Sequence, residues 1–181
     1  MKTWTEGVTA FRFCIIGEEM NIPESDFQVL KLTDYFYNDY PNPPYKEIMQ
    51  KRQRAYNCLL FQTHYDYYIC VPYRSEISHT YAYLFKKSKR SMKHRSGLDY
   101  TKIVIINKSE YVDTIDALLD KDEYNETVVN IKRIKREALE FVEDYVKHMK
   151  GVHKLSPQEF KRRYNFSPLQ YFHNELGITP G

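Results

Sequence analysis

The sequence predicts an α+β fold: a small curved antiparallel sheet or open β-barrel core, with peripheral helices and a helical C-terminal third. Three observations lead there. The first two thirds hold short apolar runs of β-branched and aromatic residues, separated by prolines and polar turns. From Ile131 onward the apolar residues recur at three- and four-residue steps. Two Ser-Pro pairs, Ser156-Pro157 and Ser167-Pro168, then announce helix starts.

Taken in order, Phe11–Ile16 reads as a strand ending at Gly17, and Phe27–Leu32 as a second. Thr33–Tyr40 begins a short helix with Thr33 as its cap, before Pro41, Pro43 and Pro44 break regular structure. Tyr45–Arg54 is charged and reads as helix or loop. Ala55–Phe61 and Tyr65–Val71 form two strands joined by a polar turn around Gln62–His64, and Pro72 ends the second or lies at its edge. Tyr81–Phe85 alternates aromatic and small residues. Gly97 breaks the chain before a β-branched core strand, Lys102–Ile106. Ile131, Ile134, Ala138, Val142, Tyr145 and Met149 make one face of a long helix over Asn125–Lys150, stopped by Gly151. Ser156-Pro157-Gln158-Glu159 is a capping box, Ser167-Pro168-Leu169-Gln170 repeats the device, and Gly177 closes the last helix. With no long linker, repeat or low-complexity segment, residues 1–181 read as one domain.

Composition is that of a folded protein, at 42% hydrophobic and 28% charged. The 17 tyrosines suit a β-rich core and also suit stacking on exposed RNA bases. Net charge is only +3, but its distribution is uneven. Between Lys86 and Lys102 stand seven cations (Lys86, Lys87, Lys89, Arg90, Lys93, Arg95, Lys102) against one acid, Asp99, while Asp113 to Glu126 is acidic. A polyanion-binding patch and a solvated loop both account for this run. Cys14, Cys58 and Cys70 lie in apolar settings without metal-ligand spacing and read as buried reduced thiols. No apolar run suits a signal peptide or a bilayer span, so a cytoplasmic protein is expected.

No phosphate-binding glycine loop, nucleophile elbow, zinc-protease helix or calcium loop occurs, and no cofactor is expected. The acids fall on helical segments rather than in pairs at strand ends, which disfavours a two-metal nuclease and leaves no metal site. What remains is a polar, basic cluster leaving a strand after Pro72. RNA can be cut without metal, because its own 2′-hydroxyl attacks phosphorus when held in line with the developing charge neutralised. Arg74 suits a bidentate phosphate clamp, Ser75 a donor to the same oxygen and His79 a proton carrier. Each has a plainer alternative: Arg74 pairs with an acid, Ser75 caps a turn, His79 is a bystander. His64 and His94 have less to support them.

At these residues the sequence resembles a known family. Ala55-Tyr56-Asn57-Cys58-Leu59-Leu60-Phe61, Tyr68-Ile69-Cys70-Val71-Pro72-Tyr73-Arg74-Ser75, and Ser96-Gly97-Leu98-Asp99-Tyr100-Thr101-Lys102-Ile103-Val104-Ile105-Ile106 are similar to ToxN/AbiQ, the endoribonuclease toxins of type III toxin–antitoxin systems. Phe27–Tyr40 and Leu169–Gly177 extend the likeness, nearest to the TenpN-like branch, and Met1–Ser25 precede the usual family start. The resemblance implies a compact, curved β-barrel core related to MazF/Kid toxins, SH3-like in outline, with added helices. It implies metal-independent, sequence-specific RNA cleavage to 2′,3′-cyclic phosphate and 5′-hydroxyl ends. It also implies an antitoxin RNA of pseudoknotted repeats, bound with the toxin in a closed, heterohexameric ring, and a role in phage defence by abortive infection. By position, Arg54 matches the family's basic residue before the Ala-Tyr strand. Arg74-Ser75 stands where the family has Thr-Ser, Ile77 replaces a basic residue, and His79 is the nearest polar candidate. The expected catalytic set is therefore Arg54, Arg74, Ser75 and His79, with Tyr73 and the seven cations from Lys86 to Lys102 binding RNA.

Two other classes compete. A non-catalytic nucleic-acid-binding module uses the same basic run and shows salt-sensitive binding without product. A partner protein instead presents Lys132, Arg133, Lys135 and Arg136 of the long helix to an acidic surface, although these also read as that helix's solvated side.

Overall fold

The computed structural model describes residues 27–50, 57–113 and 119–179. They run β1 (Gln28–Leu32), α1 (Asp34–Asp39), β2 (Asn57–Gln62), β3 (Tyr68–Arg74), β4 (Ala82–Leu84), α2 (Lys89–His94), β5 (Gly97–Asp99), β6 (Val104–Ile106), β7 (Val112–Asp113), α3 (Lys121–Met149) and α4 (Pro157–Tyr164). Short 3-10 turns occupy Tyr100–Lys102, Ser109–Tyr111 and Pro168–Tyr171. The fold is α+β. The expected strand at Phe11–Ile16 and the candidate Arg54 lie outside the described residues.

Seven strands form one antiparallel sheet in the order β4-β5-β3-β2-β1-β7, with β6 also on β3. It is an open sheet, not closed into a barrel. β4 and β7 are its two ends among the described residues, and strands of three and two residues offer few backbone groups for closure. β3 is the centre. β2 pairs along one edge from Tyr68 to Pro72, and the other edge is shared by β6 (Tyr68 to Cys70) and β5 (Tyr73 and Arg74). Pro72 therefore neither ends the strand nor lies at a free edge. It falls where β6 gives way to β5, a tolerated place for a residue without an amide proton.

Gly97 also departs from expectation. It is not a break but the first residue of β5, paired with both Arg74 and Leu84. A Cβ there would stand 2.2 Å from the Tyr83 carbonyl oxygen and 3.0 Å from Leu84 Cα, so the backbones approach as only glycine allows. Lys102 likewise belongs to a 3-10 turn, with β6 starting at Val104. The cysteine reading is corrected for two of the three: Cys58 and Cys70 form a disulfide across β2 and β3, with Cα atoms 5.7 Å apart, while Cys14 lies outside the described residues.

The helices begin where local chemistry dictates. Asp120 accepts from the amides of Asp122 and Glu123, so α3 starts at Lys121, before the expected Asn125. Asp122 and Glu123 lie in its first turn, at the positive end of the helix dipole. Ile134, Ala138, Phe141, Val142 and Tyr145 are its buried stripe; Met149 lies beyond it, exposed, and Gly151 ends the helix at φ +71°. Ser156 accepts from the Glu159 amide, but the Glu159 carboxylate pairs with Arg163 instead of completing the box. Ser167 caps the last turn and Gly177 takes φ +60°. Most of the tyrosines lie in the core, among them Tyr37, Tyr67, Tyr68, Tyr83, Tyr100, Tyr145 and Tyr164. Among the described residues no helix is long and apolar enough to cross a membrane.

Gly97→Ala should destabilise the fold by about 2–3 kcal/mol, because the new methyl meets backbone rather than a yielding side chain. Urea denaturation checks this. An unchanged midpoint would show that β4 and β5 can separate at no cost.

Candidate functional site

Asp99 ends β5 with none of its side chain exposed. An ionised carboxylate so buried needs donors in place of lost hydration, and the surrounding elements supply them. Arg74, the last residue of β3, donates through Nη1 to Oδ2. Thr101 donates to Oδ1 from its amide at 2.9 Å and its hydroxyl at 2.6 Å. His79 brings Nε2 to 3.3 Å from the same oxygen. Burial pushes the Asp99 carboxyl up, but the hydrogen bonds from His79 and Thr101 and the His79 and Arg74 charges outweigh it and hold it below its ordinary value.

This geometry orients the histidine. Nε2 faces a carboxylate and the Thr101 oxygen at 3.3 Å, so it is the nitrogen that carries hydrogen. Nδ1 is left as the basic nitrogen. It is buried and has no hydrogen-bond partner among the described residues.

Lys102 follows on the same turn. Its Nζ donates to the carbonyls of Phe166 at 2.5 Å and Glu47 at 3.4 Å. Burial first, then repulsion from Arg74, lowers its pKa, against the pull of Asp99 and Glu47. A second cation thus stands within electrostatic reach of the Arg74–Asp99 pair.

Ser75 is half-buried beyond Arg74, and its hydroxyl has no hydrogen-bond partner among the described residues. The next residue, Glu76, is forced to φ +59°, a region unfavourable to side-chain-bearing residues. Two backbone bonds hold it there: Glu76 N to His94 O at 2.6 Å and Ile77 N to Arg95 O at 3.3 Å. These bonds seat the basic segment against the strand exit. Lys86, Lys87, Lys89, Lys93 and Arg95 are exposed, and none has an ion pair among the described residues.

The far side of that segment is tied to α3. Glu123, almost fully buried, accepts from Ser96 Oγ at 2.5 Å, Ser88 Oγ at 3.3 Å and Arg90 Nη1 at 3.3 Å. Glu126 accepts from the amides of Lys86 and Lys87 at 3.1 Å and the Tyr83 hydroxyl at 3.2 Å. Arg90 is therefore partly committed within the fold.

Of the expected site residues, Arg74 and His79 meet at Asp99, Ser75 adjoins them and Lys102 stands close by. Tyr73 does not serve as an exposed stacking surface. Its ring is 8% exposed and stacked on Phe85, and its hydroxyl lies 3.1 Å from Thr127 Oγ1, because β3 carries it into the core. Asp99 and Thr101 escaped the sequence reading of the site. The available signal was the single acid within a basic run, placed in an apolar, strand-like setting. The cations of α3 are mostly engaged locally: Arg133 pairs with Glu137 and lies over Tyr83, Arg136 pairs with Glu140, and Lys135 lies over Phe61. Comparison with family models, curated protein sequences and solved structures returns no match to the chain.

Two outcomes follow. Folded Asp99 keeps its charge to lower pH than the unfolded chain, whose carboxylate titrates near about 3.9. Its stabilisation is full above that value and drains as pH falls through the lower folded value, since the unfolded chain takes the proton first. Asp99→Asn should therefore lower stability near neutral pH by about 2 kcal/mol and flatten the acid-side decline below about pH 4. Urea titrations across pH test this, and parallel declines in parent and variant would remove Asp99 from the role. Glu123→Ala should release the segment between Lys86 and Ser96, raising tryptic cleavage there by about tenfold. Unchanged cleavage would mean that Glu126 alone holds it.

Proposed function

We propose that the chain is a metal-independent, sequence-specific endoribonuclease, a toxin of the type III toxin–antitoxin kind. In this reading it is held in check by an RNA antitoxin of pseudoknotted repeats and acts in the cytoplasm on cellular or phage RNA. The observation that carries the reading is Asp99, a buried carboxylate drawing Arg74 and His79 together at a strand exit, beside Lys102 and a basic rim. The open seven-stranded sheet then stands for the family's small barrel core without its closure, and toxin and antitoxin form a closed ring.

The chemistry is transesterification. Arg74 and Lys102 neutralise the non-bridging oxygens of one phosphodiester, and the Ser75 hydroxyl donates to one of them. His79 turns to present Nδ1, its other nitrogen held by Asp99, and accepts the 2′-hydroxyl proton. O2′ bonds to phosphorus, the P–O5′ bond breaks, and O5′ takes a proton from solvent. The products are a 2′,3′-cyclic phosphate and a 5′-hydroxyl, with no metal or redox partner in the balance.

Two observations favour a second reading, in which the same surface binds RNA without cutting it. Asp99 already neutralises Arg74, and His79 Nδ1 is enclosed. One experiment separates the two. Purified protein incubated with total RNA and a chelator should release fragments ending in cyclic phosphate. Arg74→Ala, Ser75→Ala and His79→Ala should each cut at least about 100-fold more slowly. Ser75→Ala is the cleanest, since its hydroxyl bonds nothing among the described residues and its effect on stability should stay within about 0.5 kcal/mol. Salt-sensitive binding without product would favour the second reading, whereas a strict magnesium requirement, or a Ser75→Ala variant cutting at the parental rate, would overturn the mechanism.

A further inference from the structure

We infer that Phe166 is a stacking platform for a nucleobase of the RNA, set beside the cation that grips the neighbouring phosphate; this rests on the RNA reading above. Phe166 is 68% exposed and makes no ring contact among the described residues. A single exposed apolar side chain is ordinary on a protein surface. What sets this one apart is its mounting and its neighbour. The backbone on either side is fixed: Asn165 N bonds Lys161 O at 3.3 Å, Ser167 N bonds Tyr164 O at 3.0 Å, and both Tyr164 and Ser167 are buried. Its own carbonyl accepts from Lys102 Nζ at 2.5 Å, and Lys102 lies within electrostatic reach of Arg74 and Asp99.

An exposed ring on a fixed backbone, whose carbonyl holds an ammonium, has the two parts single-stranded RNA recognition requires: a flat apolar face for a base and positive charge for the backbone. Lys161 and Arg162, exposed on α4 and without ion pairs among the described residues, extend the charge past the ring. The other strongly exposed apolar residues among the described ones, Val129, Val152, Met92 and Tyr35, have no hydrogen bond to a site cation there. With Tyr73 in the core, Phe166 takes the stacking role the sequence assigned to that tyrosine.

The test uses the full chain and two anionic probes. One is a 2′-O-methyl oligoadenylate, which has bases but no 2′-hydroxyl and is not cut; the other is inorganic polyphosphate, which has charge alone. Phe166→Ala should weaken oligoadenylate binding by about tenfold and leave polyphosphate binding unchanged, while Phe166→Trp should retain both. Equal weakening on both probes, or none on either, overturns the stacking role while leaving the nuclease reading to its own experiment. A parent chain that binds neither probe overturns both. If Phe166→Ala converts a dimer to a monomer with oligoadenylate binding intact, the ring is a protein contact and the inference fails.

Discussion

A carboxylate removed from water remains an anion only where donors replace its hydration, and that constraint on Asp99 shapes this end of the molecule. Arg74 reaches it from the end of β3, Thr101 from the following turn and His79 from a loop whose own conformation is unfavourable. Removing any donor leaves a buried charge underbonded, so each element is held by the others' need for it. Lys102, on the same turn, carries the linkage outward to the carbonyls of Glu47 and Phe166. Segments distant in sequence thus meet through one oxygen pair. Loops alone seldom hold a polar cluster in place, and here the rigid base is supplied by β3 and β5.

The same device recurs at the first turns of α3, where Glu123 and Glu126 take the hydroxyls and amides of the basic segment. Five exposed cations brought close together repel one another. Buried acids behind them, near a positive helix end, hold the backbone in place without cancelling the outward charge. Arg90 is the exception, turned inward to Glu123. The stretch is therefore two things at once: a solvated cationic rim, and a buried polar seam of Ser88, Ser91 and Ser96 that fixes it.

The features legible in the sequence are those written within a few neighbouring residues. The stripe from Ile134 to Tyr145, the Ser156 and Ser167 caps and the glycine stop at Gly151 are local, and the fold carries them, whereas the last helical turn ends at Tyr171, well before Gly177. What could not be read depends on residues far apart in the chain. Gly97 looks like a breaker because its reason, the Tyr83 carbonyl, arrives from another strand. Pro72 looks like a strand end because nothing local says that β6 yields to β5 there. The Cys58–Cys70 bond depends on the β2–β3 register, which the spacing of the two residues does not express. In the site, Arg74, Ser75 and His79 were visible as chemistry-bearing types near a strand exit, whereas Asp99 was hidden by its role. A lone acid among bases resembles charge balancing until burial shows that it is the point on which the others converge.

That convergence places opposing demands on one imidazole. Without substrate the two cations face two acids: Asp99 neutralises Arg74, and Glu47 offsets Lys102. If the chain is the nuclease proposed above, an entering phosphodiester must compete with Asp99 for Arg74, and a protonated ring at His79 would add positive charge to help it. Yet a charged His79 has no lone pair at Nδ1 with which to take a proton. Capture of the phosphate is favoured by the protonated ring and attack by the neutral one. In the same proposal the basic rim relaxes this conflict, because the exposed Lys86, Lys87, Lys89, Lys93 and Arg95 would attract a polyanion through phosphates other than the one being cut. With attraction supplied by the rim, the imidazole is free to be neutral at the moment of attack. On that proposed reading the long basic segment and the compact Arg74–Asp99–His79 cluster are complementary parts of one surface, the first drawing in the RNA and the second acting on a single linkage of it.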